Sequence, residues 1–119
     1  MKAAVLYEPK TRFVVEEVEV EEPKAGEVMV RMVAGGVCHS DLHVVKGDLE
    51  APLPAILGHE GAGIIEMVGP GVTSVQKGDH VIPLWRFSCG QCEWCLGGRP
   101  ALCDAGTEIR RNGRLLDGT

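Results

Sequence analysis

At 119 residues, with 45% apolar and 24% charged positions, the chain suits one soluble domain and is short for two. Its net charge of −5 argues against nucleic acid or an anionic membrane surface as a partner, since both reward basic patches. The leading apolar run, Ala3 to Tyr7, is too short for a signal-peptide core or a membrane span.

In chain order, the first third reads as strands. Lys2 to Tyr7 is a short apolar run, and Val18 and Val20 alternate with Glu17, Glu19 and Glu21, the period-2 pattern of a half-buried strand. The glutamates between Glu16 and Glu22 read as its solvated face. After a turn at Pro23-Lys24-Ala25-Gly26, Val28, Val30 and Met32 alternate with their neighbours in a second strand that runs toward Gly35-Gly36 and Cys38. Ser40 to Lys46 is expected to form a short helix, capped by Ser40 and ended by Gly47. Gly61 to Val68, apolar with interspersed glycine, predicts a strand passing close to another backbone. Turns at Gly69-Pro70-Gly71 and Lys77-Gly78-Asp79 lead to His80-Val81-Ile82-Pro83, with His80 at the surface. From Asp104 onward the chain is polar and turn-rich, and Arg110 and Arg111 read as surface arginines. Short strands separated by Gly/Pro turns indicate a mostly β barrel or sandwich-like domain.

Four of the five cysteines, Cys89, Cys92, Cys95 and Cys103, follow the spacing C-x2-C-x2-C-x7-C. Four thiolates close a tetrahedron around Zn²⁺ and leave no position open for chemistry. Reduced thiols of this kind place the chain in the cytoplasm, because nothing in the sequence supports an oxidising compartment. An iron–sulfur cluster is the rival, since the C-x2-C-x2-C-x3-C-P run of bacterial ferredoxins shares its first three cysteines with this chain. Here the fourth cysteine comes too late and Asp104, not proline, follows it. Gly90, Gly97 and Gly98 would let the backbone wrap the metal.

A second constellation is Cys38-His39-Ser40-Asp41-Leu42-His43, followed after a loop by Gly58-His59-Glu60. Thiolate, imidazole and carboxylate are the ligand types of a catalytic zinc site. Singly, each residue has a plain alternative: a buried cysteine is usually a small hydrophobe, and Ser40 or Asp41 can cap a helix. Spacing alone leaves both readings open. No phosphate cradle is present, as Gly69-Pro70-Gly71 fails G-x-G-x-x-G.

The run Gly58-His59-Glu60-Gly61-Ala62-Gly63, continuing to Gly69 and Val72, resembles the G-H-E-x2-G-x5-G-x2-V signature of zinc-containing alcohol dehydrogenases of the medium-chain type. Gly35 to His43 resembles that family's first metal-ligand segment, and the cysteine run resembles its structural zinc lobe, here 88–104. The resemblance implies a GroES-like β-barrel with short helices, of which 1–119 would be the N-terminal portion of the catalytic domain. It implies Cys38 and His59 as ligands of the catalytic zinc, Glu60 as an alternative ligand, and Asp41 as the acceptor that fixes the His59 tautomer. Ser40 would hydrogen-bond the alcohol, His43 would pass its proton to solvent, and His39 would contact the cofactor pyrophosphate. Leu49 and Trp85 would line the substrate pocket, with a core aromatic as the lesser alternative for Trp85.

The implied activity is oxidation of an alcohol to an aldehyde or ketone, with hydride passing to NAD(P) because Zn²⁺ has no redox chemistry. The parent enzyme would be a homodimer or homotetramer. Two parts of the family pattern are absent: no cysteine follows Cys103 to complete the catalytic ligands, and no Rossmann fingerprint occurs. The chain alone is therefore expected to be inactive. A non-catalytic zinc-binding β-domain is the competing function; it would need the four cysteines and have no use for Cys38, Ser40, His43, His59 and Glu60 together.

Overall fold

The structure, a computed structural model, describes residues 1–107. Two three-stranded antiparallel sheets form the body. In the first, β1 (Lys2–Leu6) lies between β2 (Val14–Glu17) and β4 (Ala55–Ile56). The second is ordered β3 (Val28–Gly35), β5 (Gly61–Val68), β6 (His80–Val81). The helices are short: α1 (His39–Lys46) and α2 (Glu93–Leu96), with a single 3-10 turn over Pro100–Leu102. The architecture is mostly β with short helices, as the turn-punctuated sequence implied, and no helix among the described residues is long and apolar enough to cross a membrane.

Apolar residues alternate inward from β1, burying Ala3 and Val5, with Leu6 fully covered. Val44 of α1, Ile65 of β5 and Cys103 complete the buried apolar set among the described residues. Many apolar side chains lie outside this thin core: Val37 is 95% exposed, Leu84 84% and Ile82 75%.

Three expectations need correction. The early strand is Val14–Glu17, whose residues pair with β1 from Lys2↔Glu17 to Val5↔Val14. Of the expected Glu17–Glu21 alternation only Glu17 lies in a strand; Val18 still exchanges backbone hydrogen bonds with Met1, and the residues after it have no strand partner. Ser40 does not cap α1; Cys38 holds the extended cap position without a side-chain cap bond, and the Ser40 hydroxyl is turned to other partners. Residues 104–107 are helical rather than turn-rich, while Arg110 and Arg111 lie outside the described residues.

Gly47 does end α1, in the left-handed conformation at φ 77°. The strand expected from Gly61 to Val68 has those bounds, and Gly63 meets another backbone closely: a Cβ there would stand 2.7 Å from the Arg31 carbonyl oxygen.

Candidate functional site

The β3–β5 register builds the first site. Ala34 pairs with Ala62 and Gly35 with Gly61, and the Gly36 N–H then donates to the Glu60 carbonyl at 2.8 Å. Continuing that count past the strand ends brings Cys38, at the start of α1, beside His59. Their ligand atoms and the Glu60 carboxylate all lie within 4.8 Å of one another. Gly36 leaves room for the Glu60 side chain: a Cβ there would meet its carboxylate and make Glu60 swing aside.

The hydrogen bonds around the site orient its donors. Asp41 Oδ1 lies 3.2 Å from His59 Nδ1. An ionised carboxylate can only accept, so the proton sits on Nδ1 and the Nε2 lone pair is left facing Cys38. Ser40 Oγ donates to Cys38 Sγ at 3.2 Å and lies 3.4 Å from His59 Nε2. The Ser40 hydroxyl, its backbone N–H and His59 hold the Cys38 thiol below its ordinary range. His59 is raised above its own range, first by its bond to Cys38 and then, against the cost of burial, by the Asp41 charge. A soft thiolate and an oriented imidazole nitrogen thus converge, which is the donor chemistry a zinc ion requires.

Beside His59 and Glu60 opens a cleft of about 710 Å³ whose walls also include Met32, Leu57, Pro83 and Trp85; Cys38 and Ser40 lie behind His59 and are not among its lining residues. Trp85 stands edge-on to His59 at 6.2 Å between ring centroids. On the outer side of α1, His39 Nδ1 is 3.2 Å from His43 Nε2, and His43 Nδ1 is 3.3 Å from Asp48 Oδ2. Ser40 and His43 share no direct hydrogen bond.

The second site is local. Cys89 precedes a left-handed Gly90 (φ 75°), Cys92 and Cys95 bracket the start of α2, and Cys103 follows the 3-10 turn. The four sulfurs lie within 4.8 Å of one another, with Cys89 and Cys95 4.0 Å apart. A tetrahedral zinc with bonds of about 2.3 Å would set sulfurs ~3.8 Å apart, so the cluster fits. Backbone N–H groups also point at the sulfurs, from Cys89 to Cys103 Sγ at 3.4 Å and from Cys92 to Cys89 Sγ at 3.3 Å. The N–H groups of Gln91 and Cys92 bring Cys89 down to about 6, whereas burial pushes Cys95 up to about 12. Without a cation, four thiolates cannot ionise together at this spacing; a divalent ion would supply the missing charge.

A family model described as the alcohol dehydrogenase GroES-like domain matches residues 24–118. The chain belongs to this family. Among solved structures, an alcohol dehydrogenase zinc-binding domain protein from Burkholderia ambifaria is 42% identical with a TM-score of 0.89, the match covering 99% of this chain and 32% of that one. Benzyl alcohol dehydrogenase from Acinetobacter calcoaceticus gives the same four values. A cobalt- and zinc-bound thermostable alcohol dehydrogenase from Pyrobaculum aerophilum is 40% identical, with a TM-score of 0.82, over 89% of this chain and 33% of that one. The chain therefore spans about a third of the length of the structures it matches.

Within this GroES-like domain, Cys38, Ser40, Asp41, His59 and Glu60 are gathered at one site, and Trp85 lines its cleft. Leu49 is half exposed and is not among the residues lining that cleft. His39 and His43 are exposed and paired with each other on α1. Sequence reasoning missed Asp48, the partner of His43, and Arg86, whose guanidinium lies 5.5 Å from the Trp85 ring centre. The Asp48 link follows from a helix reversal at Gly47 that no spacing rule encodes; adjacency of Arg86 to Trp85 carried no signal of stacking.

Proposed function

We propose that residues 1–119 are the leading portion of the catalytic domain of a zinc-dependent alcohol dehydrogenase that oxidises an alcohol to an aldehyde or ketone with NAD(P) as hydride acceptor. The observation that carries this reading is the meeting of Cys38, His59 and Glu60 within 4.8 Å, beside Ser40, with His59 and Glu60 lining a cleft. Cys38 and His59 would hold the catalytic zinc and Glu60 would serve as an alternative ligand. The lobe 88–104 would hold a structural zinc through Cys89, Cys92, Cys95 and Cys103. At the catalytic position a zinc ion supplies Lewis acidity, which favours loss of a proton from an alcohol near neutral pH.

The chain's own residues then have separable tasks. Asp41 holds His59 with Nε2 free to bind, at a 3.2 Å hydrogen bond. Ser40 Oγ, already between Cys38 and His59, orients the alcohol and accepts its hydroxyl proton. His43, backed by Asp48, takes that proton to solvent through an intervening hydroxyl, since Ser40 does not touch it directly. His39 would meet the cofactor pyrophosphate. Trp85, Pro83, Leu57 and Met32 exclude water from the apolar end of the substrate. The case for Leu49 as a pocket residue rests on family resemblance alone.

The remaining features fit a larger protein: a soluble, cytoplasmic homodimer or homotetramer whose dinucleotide-binding unit and third zinc ligand come from further chain. The exposed Val37, Ile82 and Leu84 suit surface that such a protein covers. The 119 residues alone are expected to give no NAD-linked alcohol oxidation. The test is the coding sequence beyond Thr119 and the activity of its whole product. A strand–turn–helix unit with G-x-G-x-x-G, together with alcohol oxidation that Cys38→Ser abolishes, is expected. Absence of that unit would leave a non-catalytic zinc domain as the better reading, and oxidation that survives Cys38→Ser would overturn the assignment of Cys38 to the catalytic zinc.

A further inference from the structure

Beyond the two metal-donor clusters already described, the outer face of α1 carries an exposed histidine pair at positions i and i+4, the spacing that sets two imidazoles on one helix face. His39 Nδ1 and His43 Nε2 are 3.2 Å apart, with ring centroids at 4.8 Å and ring planes at 70°. Two nitrogens bound at about 2.0–2.1 Å to one ion, roughly 90–110° apart, lie ~2.9–3.4 Å from each other. The observed separation equals that bite, and a small turn of both exposed rings would redirect the two nitrogens from their mutual hydrogen bond to a shared ion. We propose that His39 and His43 form a third, surface metal site that takes one borderline divalent cation such as Ni²⁺ or Cu²⁺, with solvent completing its coordination.

Asp48 supplies the feature that sets this pair apart from a chance neighbour contact. Its Oδ2 lies 3.3 Å from His43 Nδ1, and an ionised carboxylate there keeps the proton on Nδ1. His43 Nε2 is thereby fixed as a lone pair aimed at His39, the carboxylate–histidine arrangement that orients metal ligands. In the metal-free chain His39 Nδ1–H donates to that lone pair. On binding, His39 moves its proton to Nε2 through solvent and offers Nδ1 to the ion. Imidazole donors favour Ni²⁺ and Cu²⁺ over Mg²⁺ or Ca²⁺, which prefer oxygen. An ion held here would engage both imidazoles assigned above to the cofactor contact and the proton exit, but the test below reads binding and does not depend on that assignment.

The experiment uses the full chain, zinc-loaded at its cysteine cluster and carrying Cys38→Ser to silence the other open donor set. Ni²⁺ is added in equilibrium dialysis and the bound metal is counted. One Ni²⁺ per chain is expected. His39→Gln and His43→Gln should each weaken it by at least about tenfold and Asp48→Asn by roughly tenfold, with His80→Gln leaving it unchanged. A Cu²⁺ electron paramagnetic resonance spectrum of the chain with all four histidines intact should carry hyperfine structure from two nitrogens, which keeps the proposal testable should a variant unfold. Ni²⁺ binding that persists in the His39→Gln/His43→Gln double variant, binding lost instead with His59→Gln, or a spectrum with one nitrogen would each overturn the assignment.

Discussion

Replacing Gly63 with alanine probes the contact that lets β5 carry His59 and Glu60 up to the end of β3. A Cβ built there stands 2.7 Å from the Arg31 carbonyl oxygen, 3.2 Å from its carbon and 2.5 Å from Val30 Cγ1. Carbon and oxygen normally rest no closer than about 3.3 Å, so the strands must part by ~0.6 Å. Gly63 pairs with Met32 on one side and Val81 on the other, so the central strand cannot move away without loosening β6. Overpacking of this kind costs about 1–3 kcal/mol. A loss of 2 kcal/mol would lower Tm by roughly 8–16 °C for a domain of this size. Gly35→Ala is the matched control in the partner strand, where the added methyl meets only the Glu60 carbonyl oxygen at an ordinary 3.7 Å. Its Tm should stay within the few degrees that correspond to about 0.5 kcal/mol. Thermal unfolding of the two variants by circular dichroism decides the matter. Equal melting temperatures would refute the argument that strand approach at Gly63 requires glycine.

Two further predictions concern ionisation. Metal binding to the four cysteines consumes thiolates, so protons compete and affinity rises with pH. Cys95, pushed up to about 12, must give up a proton throughout the neutral range and by itself imposes about a tenfold gain per pH unit, and below about 6 Cys89 adds a further proton and steepens the loss. Competition against a chelator of known pH behaviour measures this, and a flat profile between pH 6.5 and 8.5, a range of roughly two units, would contradict it. Asp41→Asn should lower the His59 imidazole pKa, since one of the charges favouring its protonated form is gone; an unchanged NMR titration of His59 would show that the 3.2 Å contact has no electrostatic weight.

Much of the candidate site was legible, but in pieces. The cysteine cluster needed only spacing, because its four ligands lie within one short lobe whose glycines and helical turn close on themselves. The Gly61–Val68 strand was legible from its apolar run, and the end of α1 from Gly47. The meeting of Cys38 with His59 was not visible in spacing, since it depends on the antiparallel register that sets Gly35 against Gly61 and carries one residue further to Gly36 and Glu60. The Glu17–Glu21 alternation misled because period-2 patterning says nothing about whether a partner strand remains to pair with it. Ser40 misled for a related reason. A serine near a helix start favours capping locally, but here a neighbouring thiol and imidazole offer its hydroxyl tertiary partners instead.

The central claim is a division of labour: a closed four-thiolate site that holds metal, and a separate open set of donors at Cys38, His59 and Glu60. Zinc counted per chain by native mass spectrometry, in the unaltered protein and in Cys38→Ser and Cys103→Ser variants, tests it most directly. The account predicts one tightly held zinc that Cys38→Ser leaves in place and Cys103→Ser removes. A zinc that Cys103→Ser retains and Cys38→Ser releases would contradict it.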